Sequence, residues 1–187
     1  GSAKFFTNDL DSTTQGIDFV MHYDTHIFNT RTRLLFSYNW TDTRVDHVNV
    51  YPHTGADGNI VMERNLSPQR IKMIEDNLPE HRANFSIEQN YKHIRTYFRL
   101  NYYSAYYEDH LNAAAGYDIY AGSEITLDVD LSYHLSSTLR FSLGAKNLLD
   151  NRADINPHAN IAGSLYPTTS PIGLSGGFYY LRGIAEF

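Results

Sequence analysis

The stretch EITLDVDLSYH, residues 124–134, is the clearest structural signal in this chain because apolar and polar side chains alternate along its whole length. One face would carry the apolar residues Ile125, Leu127, Val129, Leu131 and Tyr133. The opposite face would carry acidic and hydroxyl groups. A period of two is typical of a β-strand, whereas on a helix the residues of one face recur every third or fourth position. The stretch therefore predicts a strand with one apolar and one polar face.

The same alternation recurs on both sides of this strand. Further stretches of this kind lie near residues 15–25, 33–40, 82–88, 95–107, 139–146 and 177–187. A helix is predicted only over residues 68–76, where Ser67 is a good capping residue and Pro68 suits the first helical position. The pattern predicts an all-β protein.

Short and long connections alternate between the predicted strands. The short turns lie near residues 28–31, 90–93 and 135–138, and the long connections span about 46–79, 108–122 and 148–176. In the first long connection, Gly55 and Gly58 predict a hairpin turn. Tight turns at one end, long loops at the other and strands of roughly 10–13 residues are typical of membrane barrels. We therefore predict an antiparallel up-and-down meander of roughly seven to eight long strands, either part of a transmembrane β-barrel or a miniature one.

The composition favours a membrane barrel and argues against a nucleic-acid-binding protein and a helical membrane protein. Aromatic residues make up 14% of the chain, and tyrosines near the ends of the apolar faces predict a girdle at a lipid interface. The net charge of −6 is spread along the chain, which argues against a nucleic-acid partner. No run approaches the ~20 apolar residues of a membrane-spanning helix. Since alternation alone does not say which face is inside, a soluble lectin-like sandwich stays open as an alternative.

Four segments of the chain carry a family resemblance. They are LSPQRI with DNLPEHR (residues 66–71 and 76–82), GAKNLLDN (144–151), YPTTSPIG (166–173) and the closing FYYLRGIAEF (178–187). Together they resemble the C-terminal barrel portion of a TonB-dependent outer-membrane receptor. In that family the GAKNLLDN-like run ends the penultimate strand, with Phe where this chain has Leu149. The resemblance makes Phe187 the terminal signal read by the barrel-assembly machinery.

The resemblance implies a location, a function and partners. The chain would lie in the outer membrane of a Gram-negative bacterium, in contact with its lipid. It would form barrel wall and external loops for active uptake of a siderophore-like or other scarce compound by the full-length parent. Its partners would be the barrel-assembly machinery, the receptor's plug and the remaining barrel strands.

The sequence also suggests how the chain is divided. We expect residues 1–14 to be a tag remnant, beginning Gly1-Ser2, and an N-terminal tail, and residues 15–187 to be a single β-barrel region. The family's plug domain and TonB-contacting box have no counterpart here. Seven strands would leave two open edges, which would pair with the rest of the receptor or with another copy. An eighth strand from residues 3–7 would instead allow a self-contained small outer-membrane barrel with a structural or ligand-binding role.

Candidate substrate-binding residues lie in the long connections, where the resemblance implies that external loops recognise the transported compound. They are Tyr51, His53, Asp57, Tyr107, His110, His158 and Tyr166.

The titratable residues predict neither an enzyme nor a metal site. His22 and His26 would share one strand face but lie too far apart to hold one ion without further ligands. Carboxylates of the strand at 124–134, including Asp128 and Asp130, would form a ladder of opposite charges with Arg140 and Lys146. No Ser-His-Asp grouping, phosphate-binding loop or metal motif is present, so we predict no catalytic residues and no cofactor.

Overall fold

The computed structural model describes residues 8–110 and 116–186. In these ranges the elements are, in chain order, β1 (Leu10–Ile27), β2 (Thr30–Val48), β3 (Val50–Thr54), β4 (Ile60–Arg64), α1 (Pro68–Asp76), β5 (His81–Tyr91), β6 (Ile94–Tyr103), β7 (Tyr106–Asp109), β8 (Asp118–Ala121), β9 (Glu124–His134), β10 (Leu139–Lys146), α2 (Ala159–Ala162) and β11 (Phe178–Ala185). Seven strands form one sheet in the order β1-β2-β5-β6-β9-β10-β11. All neighbours in it are antiparallel. The predicted all-β antiparallel meander is confirmed.

The large sheet is open. Its edges are β1 and β11, and neither edge strand has a second partner within the described residues. β1 begins at Leu10, inside the stretch that the sequence predicted to be a tail. The predicted terminal signal Phe187 and the candidate eighth strand at residues 3–7 lie outside the described residues.

The short and long connections lie at opposite ends of the sheet, as predicted. Phe28 and Asn29 join β1 to β2 and have φ angles of 53° and 58°. Both residues are therefore in the left-handed conformation that a two-residue hairpin requires. We call this the short-turn end. The opposite, long-connection end carries the β3–β4 hairpin with α1, the β7–β8 hairpin, and the segment that contains α2.

The sheet exposes its apolar face. The registers align one apolar row across all seven strands: Tyr23, Leu34, Ile87, Phe98, Val129, Ala145 and Tyr179. Phe98 is 47% exposed and Leu181, on the same face, is 78% exposed. On the opposite face Ser86 and Ser132 are buried, at 5% and 3% exposure. The sheet therefore has the reverse of the distribution found in a water-soluble protein, where large apolar residues are buried.

The predicted helix and hairpin in the first long connection are confirmed. Ser67 caps α1 by accepting a hydrogen bond from the Arg70 backbone N–H at 3.2 Å. Gly58 has a φ of 81° in the turn between β3 and β4. Helix α2 was not predicted. Over residues 8–110 and 116–186, every helix is too short or too polar to cross a membrane.

The sequence predicted a strand from about residue 95 to 107, and the predicted end of this strand is wrong. β6 stops at Tyr103 because Ser104 closes the pairing with β5. The Ser104 backbone N–H donates to the His81 carbonyl at 2.9 Å, and the Ser104 hydroxyl accepts the His81 N–H at 3.0 Å. The chain then turns away and forms β7, which pairs with β8 rather than with the large sheet.

Candidate functional site

A buried carboxylate joins the second and third long connections. Glu108, in β7, is 8% exposed. Its Oε1 accepts hydrogen bonds from the backbone N–H and hydroxyl of Thr168, at 3.0 and 3.1 Å. Its Oε2 accepts the same pair from Thr169, at 2.8 and 2.5 Å. Four donors on one carboxylate fix the YPTTSPIG segment against the β7–β8 hairpin, because hydrogen bonds to an ionised group are about twice as strong as neutral ones.

The first long connection joins the same cluster through the end of α1. Asn77, the C-cap residue of α1, donates its side-chain N–H groups to the Tyr107 carbonyl at 2.9 Å and to the Thr169 hydroxyl at 3.2 Å. One amide therefore contacts both of the other long connections. We call Asn77, Glu108, Thr168 and Thr169 the loop latch.

A second carboxylate supports the latch from the sheet. Glu124, at the start of β9, accepts a hydrogen bond from the Tyr106 hydroxyl at 3.2 Å and one from the Ser170 hydroxyl at 3.4 Å. Burial raises the pKa of Tyr106, so this phenol stays a donor at neutral pH. Pro167 is fully buried beside these groups. The YPTTSPIG segment is therefore held by protein contacts along its length.

The GAKNLLDN segment forms a rigid turn after β10. Asn147 and Asp150 have positive φ angles of 49° and 55°. The Asn147 side chain donates to the Asn151 carbonyl at 2.7 Å and accepts the Asn151 N–H at 3.1 Å. Asp150 accepts the Gly177 backbone N–H at 2.7 Å, which joins the turn to the residue before β11. The polar residues of this segment thus have structural partners.

Asp150 is electrostatically favoured in its ionised form. The Gly177 N–H, and after it the positive charge of Arg152, hold the pKa of the Asp150 carboxyl below its ordinary value. Arg152 lies 3.5 Å from Asp150 and also donates to the Tyr166 hydroxyl at 3.4 Å. Tyr166, a predicted ligand-binding residue, is therefore held beside this turn.

The predicted ladder of opposite charges between β9 and β10 is wrong, because the acids of β9 pair with other residues. The register places Asp130 opposite Gly144, and Arg140 opposite His134. Asp130 instead lies 3.7 Å from Arg95 of β6 and accepts the Tyr180 hydroxyl of β11 at 2.7 Å. Gly144 makes this possible, since a Cβ at that position would overlap the Tyr180 ring.

The second predicted acid of that ladder also has other partners. Asp128 accepts the backbone N–H of Asn147 at 2.9 Å and the side chain of Asn101 at 3.3 Å. The strand has the predicted polar face, but its acids are bound by β6, β11 and the turn after β10.

Two of the predicted loop residues flank a third aromatic side chain. The Tyr117 ring centroid lies 6.0 Å from that of His110 and 5.2 Å from that of His158. His110 and Tyr117 line a cavity of about 230 Å³ together with Asn156 and Thr168. The structure thus brings His110 and His158 to one side of the loop latch.

The remaining predicted residues of the first long connection lie apart from this cluster. Tyr51 and His53 are on β3, and Asp57 is in the turn between β3 and β4. Asp57 accepts the backbone N–H of Asn59 at 3.1 Å and its side chain at 2.7 Å. These hydrogen bonds lower the pKa of Asp57 and give it a role in the turn.

A pocket that the sequence did not predict lies between α1 and the β7–β8 hairpin. It has a volume of about 230 Å³ and is lined by Lys72, Asp76, Tyr107 and Tyr120, among other residues. Tyr107 was predicted as a ligand-binding residue, but Tyr120 and Lys72 were not. The sequence carried little indication that Tyr120 would lie in a pocket, because β8 has only 4 residues and its stretch was predicted to be a loop.

Within the described part of the chain, no group of three or more His, Asp or Glu side chains is arranged to hold a metal ion. No protein-family model matches the sequence, and no curated protein matches it significantly.

Proposed function

We propose that this chain is part of the wall and external mouth of a transmembrane β-barrel in a Gram-negative outer membrane. By the resemblance of its segments, the parent would be a TonB-dependent receptor that imports a scarce compound. The observation that carries the proposal is the exposed apolar face of the large sheet.

This face would be costly in water. Its large side chains include Phe19, Phe98, Leu100, Leu131, Leu143 and Leu181, all between 46% and 78% exposed. Leu131, Leu143 and Leu181 form one row across β9, β10 and β11. Phe19, Phe98 and Leu100 pair with further apolar or aromatic residues on the same face: Tyr38, Val129 and Phe85. Monomeric soluble proteins rarely expose contiguous apolar patches larger than a few hundred Å². Contact with the lipid acyl chains would remove this surface from water at about 25 cal/mol per Å².

The polar face fits the interior of a large barrel. The Nε atoms of Arg82, Arg99 and Arg140 are buried and have no hydrogen-bond partner among the described residues. Buried guanidinium N–H groups are normally paired with protein or water. Lumen water, or the plug that the resemblance implies, would supply acceptors to this face.

The open edges favour a larger barrel over a self-contained one. An unpaired strand edge has no hydrogen-bonding partner in hydrocarbon, where each unsatisfied group costs several kcal/mol. Strands from the rest of the receptor would pair with β1 and β11. The long-connection end would then face outward, and the residues around the loop latch would lie where an incoming compound first meets the protein.

The proposal is tested by asking which face contacts lipid. Trp40 is the single tryptophan of the chain, so Trp40→Phe gives a background without tryptophan fluorescence. In this background, Phe98→Trp reports on the apolar face and Tyr97→Trp, the adjacent residue, reports on the polar face. In vesicles whose acyl chains carry bromine, we expect strong quenching at position 98 and little at position 97.

Equal quenching at the two positions would contradict the proposal. A monodisperse monomer in buffer without detergent would contradict it as well. A β-sheet spectrum by circular dichroism in the vesicles is the control that the chain has folded before quenching is measured.

A further inference from the structure

A lysine ammonium group occupies the pocket between α1 and the β7–β8 hairpin. Lys72 Nζ lies 5.1 Å from the ring centroid of Tyr107 and 5.1 Å from that of Tyr120. The two rings are 5.2 Å apart and inclined at 63°. Lys72 also lies 3.4 Å from Asp76. Two aromatic rings and a carboxylate around one ammonium group form the arrangement by which proteins recognise organic cations.

The surroundings of the pocket are acidic. Its lining includes the carboxylates Asp42, Glu75, Asp76 and Glu80, with Lys72 as the basic residue among them. Burial, and then the negative charges of Asp109 and Asp118, raise the pKa of Tyr107 to about 12. The Tyr107 ring therefore presents a neutral π-face to a cation at physiological pH, in a field that favours positive charge.

A buried acid, Asp109, lines the cavity of His110 and Tyr117 and adds negative charge near Tyr107. Asp109 is a neighbour of Tyr107 on the same face of β7, since the residues two apart on a strand share a face. Asp109 is 5% exposed, and its Oδ1 has no hydrogen-bond partner among the described residues. Its cross-strand neighbour is Asp118, a like charge. Two acids in this arrangement are costly unless positive charge lies near them.

The pocket is accessible, and Lys72 can leave it. Tyr107 is 2% exposed and forms the floor, whereas Tyr120 is 68% exposed and forms one wall. The Lys72 side chain is 39% exposed and the Asp76 side chain 53%. An ion pair of this exposure contributes about 0–1 kcal/mol, which does not lock the lysine in place.

We propose that the Tyr107–Tyr120 pocket binds the primary ammonium group of an external ligand, and that Lys72 occupies it when no ligand is bound. The ligand class is an alkylamine, or a larger molecule that ends in one. Lys72 acts as a tethered competitor whose effective concentration at the rings is on the order of millimolar. The inference goes beyond the proposed function, because the pocket lies at the long-connection end and its chemistry does not depend on transport.

The test measures binding of n-butylammonium, which has the chemistry of a lysine side chain, by calorimetry of the folded full chain. Removal of the competitor in Lys72→Met is expected to tighten binding about threefold relative to the unmodified chain. Adding Tyr120→Leu to that variant removes one ring and should weaken binding about tenfold. Tyr120 is exposed, so this change tests the ring without disturbing a buried residue.

A matched lysine provides the control. Lys92 lies 5.2 Å from the ring of Tyr91 at the short-turn end, where it contacts one ring. Lys92→Met should leave n-butylammonium binding unchanged, and 1-butanol, the uncharged analogue, should not bind to Lys72→Met. If Lys72→Met fails to fold, as judged by circular dichroism, Lys72→Gln takes its place.

Two results would overturn the inference. One is the absence of saturable binding by a folded Lys72 variant, and the other is equal affinity with and without the Tyr120 ring. Lipid quenching tests the proposed function and amine binding tests this pocket, so a failure of one is distinguishable from a failure of the other.

Discussion

The large sheet and the long-connection end differ in what they bury. On the sheet, residues such as Thr32 and Ser132 are buried while Leu100 and Leu181 are exposed. At the long-connection end, Tyr106, Tyr107 and Ile119 are buried, at 2–5% exposure. Polar groups such as Glu108 lie among them with their hydrogen bonds satisfied. One chain therefore contains a sheet with an exposed apolar face and a region whose aromatic and apolar residues are buried.

The two regions are therefore expected to respond to the same substitution in different ways. Under the proposed function, the apolar face of the sheet would contact lipid, which accommodates apolar groups and excludes charge. At the long-connection end, stability depends on a small number of hydrogen bonds to buried carboxylates.

The largest effect is expected for a charge introduced into the wall. Leu100→Arg places a guanidinium on the apolar face and should lower the free energy of unfolding by about 2–4 kcal/mol in vesicles. Ile161→Arg, at a similarly exposed apolar residue in α2, should change it by less than about 0.5 kcal/mol. Urea unfolding in lipid measures both, and equal effects would remove the distinction between the two regions.

A smaller and local effect is expected at the loop latch. Glu108→Gln keeps the shape of the side chain but turns one acceptor into an N–H₂ group facing the Thr169 donors. Leaving buried donors unpaired should lower the local opening free energy by about 2 kcal/mol. Hydrogen exchange of the Thr169 amide reports this, with Glu63→Gln on the exposed β4 as control. Unchanged protection at Thr169 would mean that the latch does not hold this segment.

The smallest effect concerns the turn after β10 and depends on pH. Folding lowers the pKa of Asp150, so its ionised carboxylate stabilises the turn at pH values above the ordinary carboxyl pKa of about 3.9. This stabilisation of the turn is lost as the pH falls through the lower pKa of the folded state. Intrinsic-rate-corrected protection of the Gly177 amide should therefore fall below about pH 4. Asp150→Asn keeps an acceptor without a titrating charge, and protection that falls equally in this variant would exclude Asp150 as the cause.

Local signals in the sequence predicted most of the sheet. Alternation located β9, the capping Ser67 located α1, and Gly58 located the turn of the β3–β4 hairpin. Each signal acts over a few residues, because side-chain direction, capping and positive φ are properties of the local backbone.

Pairings between distant residues could not be predicted in the same way. The expected partners of Asp130 were Arg140 and Lys146, but the register gives it Arg95 and Tyr180. A register shift of two residues keeps every side chain on its face, so the hydrophobic pattern does not specify it. The candidate site was likewise predicted only as a set of loop residues, of which Tyr107, His110, His158 and Tyr166 lie around the cluster and Tyr51, His53 and Asp57 do not.

Local patterns in the sequence specified the strands, their two faces and the alternation of short and long connections, since these depend on local backbone geometry and on the period of the apolar residues. Tertiary structure was needed to show that three connections, separated by up to 92 positions between Asn77 and Thr169, meet at the loop latch. It also decided that Lys72 lies between two tyrosines of another connection. Both contacts depend on how the strands are registered, because the sheet sets where each connection leaves and returns.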